Sequence, residues 1–204
     1  MICGAVTSQE IIVPFPTPLV PVKRVRSTVF VGAIAALKYY DLFSRYEVLL
    51  SPTHRDTVLG VVPGSWLALD AACAHYEACQ RLDLSPEMAA KLGAYNFDRI
   101  GKSLFGTMLN VAKNVGVTPW TLVSHVDRFW PRAYDGGGLR VTRRGPKDAL
   151  VELQQSALAD IEAYRHALRG FVLGMMGPFC TKAYVRIPAG TRAPGNFALV
   201  LQWV

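Results

Sequence analysis

Apolar residues recur at helical spacing across the first two-thirds of the chain and at strand spacing across the last third. Between about 28 and 130 the punctuation is that of helix starts. Ser51-Pro52, Ser85-Pro86 and Thr118-Pro119 each place a hydroxyl residue at the N-cap and proline just inside, and Pro63-Gly64-Ser65 is a looser version. Trp66, Leu69, Cys73 and Tyr76 step by threes and fours, as one buried helical stripe does. Met88, Leu92, Ile100, Leu104 and Met108 make a comparable stripe over 86–115. Gly93, Gly101 and Gly106 interrupt it, each costing about 1 kcal/mol relative to alanine. Glycines kept at that cost point to close backbone packing or to a break into two helices.

After Asp135-Gly136-Gly137-Gly138, taken as a linker, the period changes. Leu139–Arg143 alternates, and Ala149–Leu153 pairs back on it across Gly145–Asp148 as a hairpin. Residues 157–176 form a helix with Leu158, Ile161, Tyr164, Leu168, Val172 and Met175 on one side, stopped by Gly177-Pro178. A second hairpin joins Lys182–Ile187 to Asn196–Val204. The fold class is α+β: an N-terminal helical half, then hairpin–helix–hairpin forming a four-stranded antiparallel sheet. Residues 1–26 read as an extended leader, with prolines at 14, 16, 18 and 21, that drapes over the body through Ile11, Ile12, Val13 and Phe15 or stays mobile. Residues 27–204 are then one domain.

Composition supplies material for that core. The 204 residues are 51% hydrophobic and 18% charged, with mean hydropathy +0.22, the opposite of a disordered chain. The longest apolar stretch, Val29–Leu37, is far short of the roughly 20 residues of a spanning helix. A net charge of +7 would suit nucleic acid or another acidic partner, but it is dispersed. Its densest groups are Lys23-Arg24-Arg26 and Arg140-Arg143-Arg144-Lys147. Cys3, Cys73, Cys79 and Cys180 show no metal-binding spacing, and Cys73 and Cys79 point to different helix faces, so reduced thiols in a cytoplasmic protein are expected. No signal-peptide pattern or myristoylation site opens the chain.

Catalytic chemistry is not concentrated anywhere. There is no phosphate-cradling glycine loop before a helix and no His-Glu-x-x-His, and no residue set takes a catalytic role. Asp98 and Lys102, four apart, read as a surface ion pair. His125 is the histidine with suggestive company. On a helix from 119 it shares a side with Leu122, Arg128 and Phe129, next to Trp130, and a histidine on such a face is able to ligate haem or another metal.

Several elements are familiar in their order: Val25–Gly32, Trp66–Ala72, Leu84–Gly93, Phe97-x-x-Ile-Gly-x-Ser-Leu-Phe-Gly106, a tyrosine-glycine loop before the first hairpin, and a last strand ending in Trp203. Over roughly residues 25–204 they resemble a family of domains of unknown function, expanded in myxobacteria. The order of helices, hairpin, helix and hairpin is itself similar to a wider superfamily of haem nitric-oxide/oxygen sensors, 4-vinyl-reductase-type domains and transport-particle subunits. That resemblance implies a non-enzymatic, sensory or regulatory domain. It would enclose a small apolar or amphipathic ligand between helices and sheet and form a homodimer. The residues expected to face the ligand are Phe105, Met108, His125, Arg128, Phe129 and Trp130. His125 falls roughly where the haem sensors keep their proximal histidine, but their Tyr-x-Ser-x-Arg propionate clamp has no counterpart here, which counts against haem. Two alternatives stand beside this: an interaction module with a basic face for nucleic acid or an acidic protein, and a haem or metal sensor at His125.

Overall fold

The protein is described here by a computed structural model, which covers residues 9–112, 118–190 and 193–204, with the backbone alone over 100–112. The proline-rich segment supplies two strands, β1 (Glu10–Val13) and β2 (Arg24–Arg26). Helices α1 (Thr28–Tyr39), α2 (Phe43–Leu49) and α3 (Pro52–Leu59) follow. Ser51 stands at the N-cap position of α3 with Pro52 just inside, as expected, although its hydroxyl makes no capping bond. The next start differs from expectation. Trp66–Ala68 is a strand, β3, and α4 (Leu69–Gln80) begins only after it. The reason is tertiary. β3 pairs antiparallel with β2, Val25 opposite Leu67, and the guanidinium groups of Arg24 and Arg26 lie 5.5 and 4.1 Å from the centre of the Trp66 ring.

Helix α5 (Pro86–Ala112) runs unbroken, with the Ser85 hydroxyl accepting from the Met88 amide at 3.2 Å. Close packing therefore accounts for Gly93. A Cβ there would sit 1.8 Å from the Ala167 carbonyl oxygen, and one on Gly170 would sit 1.8 Å from that of Ala90. These two glycines let α5 press directly on α8 (Glu162–Met176). The side chains of Ile100, Leu104 and Met108, the Asp98–Lys102 pair and the surroundings of Gly101 and Gly106 lie outside the described residues.

Between those helices come α6 (Pro119–Val123), α7 (Val126–Ala133) and the two-residue strand β4 (Tyr134–Asp135), which pairs with β2. The expected hairpins are β5 (Gly138–Gly145) with β6 (Asp148–Gln154), and β7 (Ala183–Arg186) with β8 (Phe197–Trp203). A 3₁₀ turn at Ala157–Asp160 precedes α8, and another at Gly177–Phe179 ends it. The larger sheet has the order β1-β5-β6-β8-β7, so the four expected strands are joined by β1 from the leader. The smaller has the order β3-β2-β4.

The glycine run before β5 is a seat rather than a linker. Gly136 has φ +97°, and a Cβ on it would lie 2.3 Å from the Pro21 carbonyl oxygen. The leader is fastened there by Gly137 N–H to Val20 O (2.7 Å), Lys23 N–H to Asp135 O (2.8 Å) and Val22 N–H to Gln155 O (2.8 Å). Strand alternation turns Leu139, Val151, Leu153, Phe197, Leu199 and Leu201 to one face of the larger sheet, in register across it: Leu139 with Leu153, Leu153 with Phe197, Val151 with Leu199. That face and the helices enclose the core.

Candidate functional site

Helices α1, α4, α5, α7 and α8 and the apolar sheet face do not close completely on one another. They leave a cavity of about 170 Å³. Leu37 and Val29 of α1, Leu92 of α5, Phe171 and Met175 of α8, and Leu153, Leu199 and Leu201 of the sheet form most of its wall. A dry apolar cavity of about 150 Å³ holds a benzene ring, whereas pockets for drug-sized ligands run from about 300 Å³ upward. The space therefore suits a one-ring molecule.

Six polar side chains interrupt the apolar wall. His75 is fully buried, its Nδ1 2.7 Å from the Tyr46 hydroxyl and its Nε2 3.9 Å from Cys79 Sγ. Burial lowers the His75 pKa to about 3 and raises the Cys79 thiol to about 12. Asn96 donates from Nδ2 to Val29 O at 3.0 Å, and its Oδ1 has no partner. Three phenols complete the set. Tyr164 donates to the Tyr134 hydroxyl at 3.2 Å, and the Tyr76 ring meets the Tyr164 ring edge-on at 5.0 Å. Burial pushes Tyr134 up to about 12 and carries Tyr76 and Tyr164 well above the usual tyrosine value.

Of the residues the sequence pointed to, Phe129 and Trp130 line this cavity. Trp130 stacks on Tyr134 with ring centres 3.9 Å apart and donates from Nε1 to Gly136 O at 2.9 Å. His125 is not in the wall. The helix expected from 119 onward divides at Ser124-His125, and His125 becomes the residue before α7, its Nδ1 2.7 Å from the Thr121 carbonyl oxygen. Arg128 is exposed and does not reach the cavity. The side chains of Phe105 and Met108 lie outside the described residues. Tyr76 and Tyr164 were visible in the sequence as members of helical stripes, with nothing to distinguish a cavity wall from a filled core. Tyr134, on a strand of two residues, carried no periodic signal.

The two basic groups are largely paired where they stand. Arg24 meets Asp135 at 2.8 Å, Arg140 meets Glu152 at 2.7 Å through two nitrogens, Arg143 meets Glu10 at 3.0 Å and Arg144 approaches Asp148 at 3.7 Å. Cys73, Cys79 and Cys180 are free thiols. Among the described residues no group of three or more His, Cys, Asp or Glu side chains is placed to hold a metal ion, and no helix is long and apolar enough to cross a membrane.

No protein-family model matches the chain, and no curated protein matches it in sequence. Solved structures do match its shape. A Cs H-NOX mutant superposes with a TM-score of 0.61 at 11% identity, over 87% of this chain and 96% of the other. The Fe(II) unliganded H-NOX protein from K. algicida gives 0.56 at 11%, over 88% and 96%. An oxygen-binding H-NOX domain related to soluble guanylate cyclases gives 0.56 at 11%, over 87% and 94%. The chain has the H-NOX fold. At this identity the likeness is one of fold, and it agrees with the resemblance to the haem-NO-binding superfamily read from the order of elements.

Haem in an H-NOX fold would ask three things of this cavity: an imidazole nitrogen free to ligate, cations for two carboxylates, and room for a macrocycle. The histidine in the wall, His75, has its nitrogens engaged by Tyr46 and Cys79. Among the described residues no lysine or arginine lines the cavity. Its 170 Å³ is below the range for ligands far smaller than a porphyrin. These residues do not fit haem.

Proposed function

We propose that the chain is a non-enzymatic, small-molecule-binding domain of sensory type that holds one uncharged, largely apolar molecule of about one-ring size in this cavity, without haem. The observation that carries the proposal is the cavity itself, walled by helices on one side and the apolar sheet face on the other. A fold shared with a domain described as oxygen-binding and related to soluble guanylate cyclases supports the sensory part. The titratable groups at the cavity fit a binding role there. His75 is lowered to about 3, and Cys79 and Tyr134 are raised to about 12, so these groups do not exchange protons near neutrality, where a general acid or base must.

Native mass spectrometry of freshly purified protein tests this directly. The expected spectrum carries a small neutral adduct, or gains one when α-methylstyrene is added, and it also reads the protomer count, for which two is expected. A chain that takes up no apolar molecule by this measurement or by calorimetry overturns the proposal. Haemin added in parallel should keep the broad absorption of free haemin, with no sharpened and shifted Soret band. A band that appears and is lost in His125→Ala would overturn the haem-free part. The paired arginines predict weak, salt-indifferent retention on heparin, whereas tight retention with steep salt dependence would favour the nucleic-acid alternative.

A further inference from the structure

The three phenols at the cavity differ in how their hydrogens are used. Tyr164 gives its hydrogen to the Tyr134 oxygen, which leaves the Tyr134 hydrogen with no acceptor among the described residues. The Tyr76 hydroxyl has no hydrogen-bond partner there at all, although the residue is only 5% exposed. Tyr76 comes from α4, Tyr134 from β4 and Tyr164 from α8, and all three line the same cavity. Their rings are held by neighbouring rings. Tyr134 is stacked on Trp130, and Tyr76 is packed against His75, Phe30 and Tyr164. Neither hydroxyl is among the fully enclosed polar atoms without a partner, which in this wall is Asn96 Oδ1; each keeps some surface beside the cavity that both residues line, where a ligand's acceptor can meet it.

We infer that Tyr76 and Tyr134 form the polar pole of the cavity and donate to one acceptor oxygen of a neutral carbonyl compound whose apolar, one-ring body fills the rest. This rests on the proposal that the cavity binds a small molecule, and it names the class. Charge is excluded by the wall. Among the described residues no lysine or arginine lines it, and a carboxylate buried there would be unpaired. The donors stay protonated across the neutral range, because burial, and for Tyr76 next the Tyr134 phenol beside it, raise their pKa values. Tyr164 acts as a positioning residue, since its hydrogen bond to the Tyr134 oxygen turns the Tyr134 hydrogen away from itself.

Acetophenone and α-methylstyrene have nearly the same shape and differ in C=O against C=CH₂, so the pair isolates the acceptor. Calorimetry is done with the full chain and with Tyr76→Phe and Tyr134→Phe. Tyr76→Phe removes a hydroxyl that has no partner, so the fold is expected to survive it. Each variant should weaken acetophenone binding about tenfold and leave α-methylstyrene binding unchanged. The carbonyl stretch of bound acetophenone should lie below its value in cyclohexane solution and rise in Tyr76→Phe. If α-methylstyrene binds and neither variant weakens acetophenone, the carbonyl pole is overturned while the apolar cavity stands. If neither compound binds the unsubstituted protein, both proposals fall.

Discussion

At His75 one imidazole is surrounded by Phe30, Tyr46 and Tyr76, with ring centres 5.2, 5.3 and 4.8 Å away, and meets two polar neighbours. An imidazole buried this deeply is tolerable only as a neutral, hydrogen-bonded ring, and the 2.7 Å contact with the Tyr46 hydroxyl supplies that bond. Tyr46 is itself fully buried, and burial drives its pKa far above the ordinary value. Tyr46→Phe should therefore keep the packing but leave a ring nitrogen unpaired, lowering stability by about 1–3 kcal/mol in urea unfolding with an unchanged m value. A loss near zero would mean that the bond contributes nothing. The same scale explains what the sequence hid. His75 and Tyr76 are adjacent on α4, yet one is sealed by Tyr46 while the other is left with a free hydroxyl at a cavity. That difference is made by partners far along the chain, Tyr46 and Tyr164, which no local pattern links to them.

Among the elements, the crossing of α5 on α8 is the contact least able to adjust. A methyl group at Gly93 or Gly170 would run into a carbonyl oxygen of the opposite helix at 1.8 Å, and backbone has no alternative rotamer. Gly170→Ala should cost about 3 kcal/mol or more, a fall in Tm of roughly 6–12 °C for a chain of this length, although alanine is the better helix former. An unchanged Tm would show that the helices separate freely. The longer elements were legible in sequence: α8 by its threefold and fourfold stripe, β5 by alternation, and β6 and β8 as apolar returns after glycine- and proline-bearing turns. β3 and β4, with three and two residues, are shorter than any period that would reveal them. They exist because β2 lies between them. His125 was misplaced for a related reason, since a helix of five residues followed by one of eight looks continuous when only the apolar spacing is read.

For the whole molecule, buried neutral histidine makes stability depend on acidity. The unfolded chain binds a proton at His75 near pH 6.5, while the folded chain resists it down to about 3. The contribution is fully present above pH 6.5 and is lost as pH falls through that window, because protons then favour the unfolded state. His166, lowered by burial and then by Arg169, adds a smaller term of the same sign. Urea midpoints measured from pH 7 to pH 5 should decline, and His75→Gln should flatten most of that slope. An equal slope in the variant would place the acid sensitivity elsewhere.

The fastening of the leader also decides what the five-stranded sheet exposes. Its outer strands are β1 and β7, each of four residues; Pro14 follows the first directly, and Lys182 and Arg186 frame the second. Short borders ended by proline or carrying positive charge are poor templates for strand addition. Without β1, the eight residues of β5 would present an open row of amides and carbonyls to any other chain. The leader thus guards this border of the sheet against intermolecular strand pairing.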